Sequence, residues 1–310
     1  MCQELARKLM KNWRIKLEYK KVGVIILGWI LAYFLIKKEN LIEVIRQTLP
    51  FREAGLLTGM VWGEKSGMRG EFYDRLINTG LIHIVVISGA NLMMVGKSLI
   101  ENLAKFIGRK MAIIGGGGIV LIYVNLVGWQ IPIVRALLFL GIYYGAQILG
   151  RKFRTGRALF LVVLIMFLAD FEVYKEVSFW LSISAFLAMI LSQGGGSLRT
   201  TLWVNIFILP ILSLVFGQVS LISPLTNMAV LFLVEIISVV GFWGSILGTI
   251  WLFLGKILLG ASYPLLRYLI EVVEFGGRWQ WATINFKFNW MMLLGWYLIL
   301  GAYWYEKKKI

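Results

Sequence analysis

Cysteine and histidine are almost missing from this chain of 310 residues, which has one of each, Cys2 and His83. A single cysteine makes no internal disulfide, and a single histidine supplies no Cys/His cluster. Disulfide scaffolds and structural zinc modules are therefore excluded, and no metal or other cofactor is expected. Charge is scarce too: 15% of residues are charged, 59% are hydrophobic and mean hydropathy is +0.78. A soluble domain carries about 25% charged residues, so a water-facing surface cannot be assembled from what remains. The weak alternation of barrel strands is also missing, whereas Val22 to Ile36, Ala136 to Leu149 and Leu225 to Val240 are nearly continuous apolar runs. The expected fold is all-α, a polytopic integral membrane helical bundle.

The charge that is present is unbalanced, 32 Lys plus Arg against 16 Asp plus Glu, a formal +16. Its placement follows the bias of cytoplasmic loops toward basic residues. Residues 1–21 form a basic cytoplasmic segment, and 22–36 a retained first anchor about 22 Å long, short of a hydrocarbon core of about 30 Å. No small-residue cleavage site follows Ile36; Lys37 and Lys38 come instead. Residues 37–80, with seven basic and six acidic residues, read as an outer-face loop, with Phe51 to Gly63 and Phe72 to Ile77 as short helices lying at the interface or dipping into it. Residues 81–305 form the membrane domain and 306–310 a basic cytoplasmic tail. Lys105, Arg109, Arg151 and Arg154 fall on the inner side, and Asp170, Glu172 and Glu176 on the outer. Two cytoplasmic ends require an even number of crossings. About ten spanning segments are expected, with eight as the alternative; of the apolar runs 225–240, 241–255 and 256–273, the doubtful ones lie between 241 and 273, where Lys256 and Arg267 interrupt the pattern.

A charged group at the centre of a spanning helix costs about 2.5–3.5 kcal/mol on insertion scales, so it needs a partner or a wet cavity. Four places break the apolar pattern. From Gly80 to Asn91, polar groups recur at His83, Ser88 and Asn91, and Ser88-Gly89 offers a helix break of the kind that exposes backbone groups to a permeating species. The alternative is an interfacial His83 and a Ser88 bonded back to its own helix. Pro132 suits a first helical turn. Arg135, one turn further, either snorkels outward or faces a cavity shared with Asn125, Gln130 and Gln147, where it offers a permanent cation to phosphate. Ser178, Ser182 and Ala185 share a small face suited to close helix packing. Ser223-Pro224 reads as a helix start, and Asn227 and Glu235, eight apart, lie on roughly one face. Glu235, the one acid deep in a span, either pairs with an arginine or titrates. Glycines 115–118 make a thin helix against which another backbone packs, and Trp279, Trp281 and Trp296 look like interface anchors.

Together these segments resemble the ComEC family of competence proteins, inner-membrane channels for DNA in natural transformation. Five stretches carry the match in the family's order: Leu49-Pro50-Phe51-Arg52-Glu53-Ala54-Gly55 through Gly59; Thr79-Gly80-Leu81-Ile82-His83 through Ser88-Gly89; Pro132 with Arg135-Ala136; Phe179 with Leu181-Ser182; and Phe216-Gly217 through Pro224 and Asn227. They run across about 190 residues. Two departures stand out. Ala90-Asn91 occupies the place of the family's Leu-His, and Ile133-Val134 precedes the Arg-Ala pair where a serine is common. The resemblance implies a minimal form, because 37–80 is too short for the outer oligonucleotide-binding fold and one histidine cannot furnish the metallo-β-lactamase domain.

The function so implied is a channel conducting single-stranded DNA into the cytoplasm, with His83, Ser88, Asn91, Arg135, Ser182 and Asn227 along the path and Glu235 as a possible ion pair or proton site. No phosphate-binding loop or nuclease motif occurs in the sequence. The expected partners are the strand, the bilayer, a cytosolic ATPase or helicase that pulls, and an outer DNA receptor or nuclease that delivers. Rival classes are a proton-coupled or small-solute transporter using Glu235 with Arg135, and a membrane-embedded hydrolase using Ser88 with His83. Those last two stand about 140° apart on a continuous helix. A scaffold without a pore is a further alternative.

Overall fold

The computed structural model describes residues 37–310 apart from 65, 86–88, 192–196, 280 and 308–310. The amino-terminal segment, the first anchor, Ser88, the Gly194–Gly196 loop and the end of the tail thus lie outside the described residues. Within them the chain is helical. Helices α1 (Lys38–Thr48), α2 (Phe51–Trp62) and α3 (Glu71–Asn78) come first, then the single turn α4 (Ile82–Val85). Next are α5 (Gly89–Ile107), α6 (Arg109–Val127), α7 (Ile131–Ile148) and α8 (Thr155–Ala169), then a 3-10 turn (Phe171–Lys175). The chain continues through α9 (Val177–Leu191), α10 (Ser197–Phe216), α11 (Ser223–Ile250), α12 (Leu252–Gly277) and α13 (Trp290–Lys307). Val219–Ser220 (β1) and Thr283–Ile284 (β2) form a two-residue antiparallel clip, with Val219 opposite Ile284. Helices α6, α7, α11 and α12 are long and apolar enough to cross a membrane; α8, α9, residues 202–216 of α10 and residues 290–303 of α13 are shorter apolar helices.

Proline and glycine set several boundaries. Pro132 stands in the first turn of α7 and Pro224 in that of α11, where the missing N–H is unpaired in any case. Helix α3 ends at Gly80, whose φ is +71°. The Leu81 N–H reaches back to the Leu76 carbonyl and the Gly80 N–H to Ile77, a left-handed cap that favours glycine. A Cβ there would also lie 2.5 Å from Ser223 Oγ.

The three apolar runs between 225 and 273 fold as two helices, not three. The break falls at Trp251 alone, and α11 (28 residues) and α12 (26 residues) form a hairpin. At about 1.5 Å per residue each arm is near 40 Å long. Such a sharp reversal needs bare backbone on both arms: a Cβ on Gly255 would lie 2.3 Å from the Gly248 Cα. Lys256 sits exposed in the first turns of α12 instead of ending a helix.

The stretch 37–80 also departs from expectation. It holds three helices where two are predicted, and α2 is a core element, with Glu53 through Trp62 all buried. Trp62 packs on Tyr123 of α6 and Phe242 of α11 at ring-centroid distances of 5.5 and 5.9 Å, and Tyr123 meets Phe242 edge-on. Such pairs contribute about 0.5–1.5 kcal/mol each beyond their buried area. After α2 the chain turns at Gly63 and comes back along the helix with Gly67 against Gly55, where a Cβ on Gly67 would lie 2.4 Å from the Gly55 Cα. Arg52 at the start of α2 and Arg75 in α3 both reach Glu274, so the excursion begins and ends beside the same end of α12. At the turn, the Glu64 carboxyl is held below its usual range by hydrogen bonds from Ser66 and by Lys38 and Arg46 of α1.

Helix α7 has two packing faces. Ile133, Ala136, Leu140 and Tyr144 join the main core built on α1–α6, α11 and α12. Phe139 turns the other way into a smaller cluster with α8 and Phe179 of α9. Helix α10 packs on α9, and α13 on α10. Two packed groups result, and they meet where α9 touches α7 and α10 touches α11.

Candidate functional site

Several buried polar residues lie where distant stretches of the chain abut, while Thr58, Ser245 and Ser262 bond back to their own helices. At the head of α11, Thr226 Oγ1 donates to the Thr79 carbonyl (2.7 Å) and Ser220 Oγ to the Asn78 carbonyl (2.6 Å), while Gln218 Nε2 donates to Asn78 Oδ1. The turn Asn78-Thr79-Gly80 is thus seated on the segment from 218 to 226. One turn along, buried Asn227 donates through Nδ2 to Asn205 Oδ1 of α10 (2.9 Å) and to Ser223 Oγ (3.2 Å). Its own Oδ1 is buried with no partner among the described residues. Gly80, Asn205, Gln218, Ser220 and Ser223 line a cavity of about 60 Å³ at this junction. That is room for about two waters, well short of the several hundred Å³ of a nucleotide-sized pocket.

Nine residues after Gly80, Gly89 packs on the start of α7, where a Cβ would lie 2.7 Å from the Pro132 carbonyl oxygen and 3.2 Å from the Ala136 Cβ. Asn91, two residues later, is buried and donates through Nδ2 to the Met60 carbonyl at 3.0 Å. Tyr123 donates to the neighbouring Val61 carbonyl at 2.6 Å. These are among the last four carbonyls of α2, which have no acceptor role within the helix, so two other helices cap α2 inside the core.

Arg135 is buried, and its Nη1 donates to the Ser178 carbonyl of α9 at 3.0 Å. Ser182 donates to the same carbonyl from one turn away (2.9 Å). The guanidinium therefore bridges the two packed groups across the small face of α9. The predicted cavity with Asn125, Gln130 and Gln147 is not formed. Asn125 is exposed and bonds its own helix and Trp129, and Gln147 accepts from Arg109 at the far end of α7. The shared face of Asn227 and Glu235 is not formed either, because spacing eight turns them about 80° apart. Asn227 faces inward, whereas Glu235 is exposed and makes no ion pair among the described residues. His83 lies in α4, with its side chain outside the described set, as is Ser88.

The sequence reading passes over Asn205, Gln218, Tyr123 and Asn78. Asn205 carried a usable signal, an amide in the apolar run 202–216, the same break in pattern that marks Asn227. Gly116, within the predicted thin stretch of α6, meets Ile100 of α5, where a Cβ would lie 3.3 Å from the Ile100 Cα. Trp279 and Trp281 are exposed, and Trp296 Nε1 donates to the Ile206 carbonyl.

Comparisons with known proteins place the chain in a family. The family model described as competence protein matches residues 60–309. The chain belongs to the competence protein family. Among curated relatives, Recombination protein 2 of Haemophilus influenzae is 27% identical over 164 residues, covering 50% of this chain and 21% of that protein. ComE operon protein 3 of Bacillus subtilis is 25% identical over 201 residues, covering 62% of this chain and 26% of that protein. The chain thus spans about a fifth to a quarter of the length of these competence-family relatives. No solved structure matches it significantly. Four stretches of the resemblance lie wholly within the matched region, and contacts join them: Thr79–Gly89 with Pro132–Ala136 and with Ser220–Asn227, and Arg135 with Ser178–Ser182.

Proposed function

We propose that this chain is a channel passing single-stranded DNA inward across a bacterial cytoplasmic membrane during natural transformation, with ten crossings and both ends in the cytoplasm. What supports this reading is that buried polar side chains bond between stretches far apart in sequence inside an apolar bundle, Arg135 to the Ser178 carbonyl, Asn227 to Asn205 and Asn91 to the Met60 carbonyl. A strand bears one phosphate per nucleotide and cannot shed those charges in hydrocarbon, so it requires donors and a hydrated route. In the closed arrangement the donors are engaged between the two packed groups, Arg135 on the Ser178 carbonyl and Asn227 on Asn205. Passage requires α9 and α10 to move off α7 and α11. The same N–H groups are then released to meet phosphate oxygens, weakly and at several points, as conduction demands. Asn91, Ser182 and, by position in the chain, His83 and Ser88 complete the route. No catalytic step is assigned to this chain. A cytosolic ATPase or helicase supplies the pull, and an outer receptor or nuclease delivers the strand.

A transporter that titrates a Glu235–Arg135 pair receives no support from the geometry, since Glu235 is exposed and Arg135 is bonded to α9. The test is uptake of labelled DNA in cells carrying Arg135→Ala or Asn227→Ala, with protein level and insertion checked. A fall of tenfold or more in each is expected; normal uptake in both removes these residues from the route.

A further inference from the structure

Both ends of the bundle carry arginines, but they treat them differently. Beside the end of α12, Arg52, Arg75, Arg267 and Arg278 are matched by carboxylates: Glu274 takes Arg52, Arg75 and Arg278, and Arg267 lies against Glu271 and Glu53. The far ends of α5 and α7 are unlike this. Arg109 donates through Nε and Nη2 to Gln147 Oε1 (3.1 and 2.7 Å) and lies over the Tyr144 ring, which holds the α5–α6 and α7–α8 connections side by side. These two connections bring together Lys105, Arg109, Lys110, Arg151, Lys152 and Arg154, all exposed. No aspartate or glutamate occurs between Asn102 and Ala169. Among the described residues none of the six cations forms an ion pair. Phe106, 85% exposed, stands between two of them.

We propose that this double loop is a docking surface for single-stranded DNA, the place where a strand leaving the bundle is first held. The inference rests on the channel reading for its orientation, which puts this end in the cytoplasm. Loop orientation alone accounts for basic residues on that side, but not for two loops clamped together with an exposed aromatic ring among six cations that far outnumber the nearby carboxylate, Glu101 of α5, whose charge acts on Tyr144 beneath Arg109. Six cations across two adjacent loops suit a flexible polyanion, and an exposed ring among them offers a base a stacking partner without selecting sequence. Arg109, fixed by Gln147 and Tyr144, holds the surface in shape, while the other five cations extend from it.

The full chain in nanodiscs of neutral phosphatidylcholine, titrated with a fluorescent single strand at several salt concentrations, tests this directly. Each phosphate neutralised on a single strand contributes about 0.7 to the slope of log affinity against log salt. The variant Arg151→Ala/Lys152→Ala/Arg154→Ala should lose roughly 2 from that slope by the same rule, and bind the strand at least tenfold more weakly at low salt. Arg151→Lys/Arg154→Lys should keep the wild-type slope. A wild-type slope in the triple alanine variant overturns the proposal. So does a triple variant whose only change is weaker retention of anionic lipid in discs containing phosphatidylglycerol, which would make the surface a headgroup site. Binding in neutral discs involves no transport, so the two readings fail separately. A lost slope alongside normal uptake in Arg135→Ala and Asn227→Ala cells removes the channel route and leaves the surface standing.

Discussion

At the residue scale, the buried polar groups of this bundle fall into two kinds, told apart by what each side chain holds. Asn91 and Tyr123 cap the inner end of α2, so their loss leaves a helix carbonyl bare in the core. Leaving a buried acceptor unmet costs about 1–3 kcal/mol. Asn91→Ala is therefore expected to lower stability by roughly that amount, read as a lower unfolding temperature of the purified protein; an unchanged temperature would mean that the Met60 carbonyl needs no partner. Arg135 and Asn227 instead join one packed group to the other. That these residues interrupt apolar helices was legible in the sequence, but which neighbour each one meets was not. A helical wheel gives an angle and no partner, which is why the sequence leaves Arg135 open between snorkelling outward and a cavity with Asn125, Gln130 and Gln147, whereas it is found on α9.

At the scale of elements, the helix starts at Pro132 and Pro224 were readable, since proline suits a first turn, although Pro210 and Pro264 stand inside α10 and α12. The end of α11 was not. Lys256 looked like the interruption, whereas the break lies at Trp251 and depends on two glycine backbones meeting, a contact between residues on different helices. The burial of α2 was hidden for a similar reason. The near balance of charge in 37–80 suggests water, yet Arg52, Glu53 and Arg75 spend their charges on α12. Glycines supply a paired test of this packing. Gly67→Ala should destabilise by about 1–3 kcal/mol, the usual cost of overpacking, because its Cβ meets the Gly55 backbone. Gly117→Ala, with nothing within 4 Å of an added Cβ, should be neutral or stabilising by about 0.5–1 kcal/mol through helix propensity. Equal effects at the two sites would contradict the close return of the chain along α2.

Taken as a whole molecule, the chain is two packed groups sharing α7 and joined by buried polar contacts, with arginines matched by carboxylates beside α12 and, among the described residues, six cations without an ion pair at the far loops of α5 and α7. The central claim is that the junction between α10 and α11 must open for a strand to pass. Asn205 and Asn227, 2.9 Å apart across that junction, allow it to be locked. In a Cys2→Ser background, Asn205→Cys/Asn227→Cys is bridged by a short reversible bis-thiosulfonate, and uptake of labelled DNA is followed before bridging, after it and after reduction. The account predicts that the residual uptake left once Asn227 is replaced, a tenth or less of the wild-type level, stops on bridging and returns to that residual level on reduction, with each single cysteine variant unaffected by the reagent. Uptake at an unchanged rate through the bridged protein would contradict it.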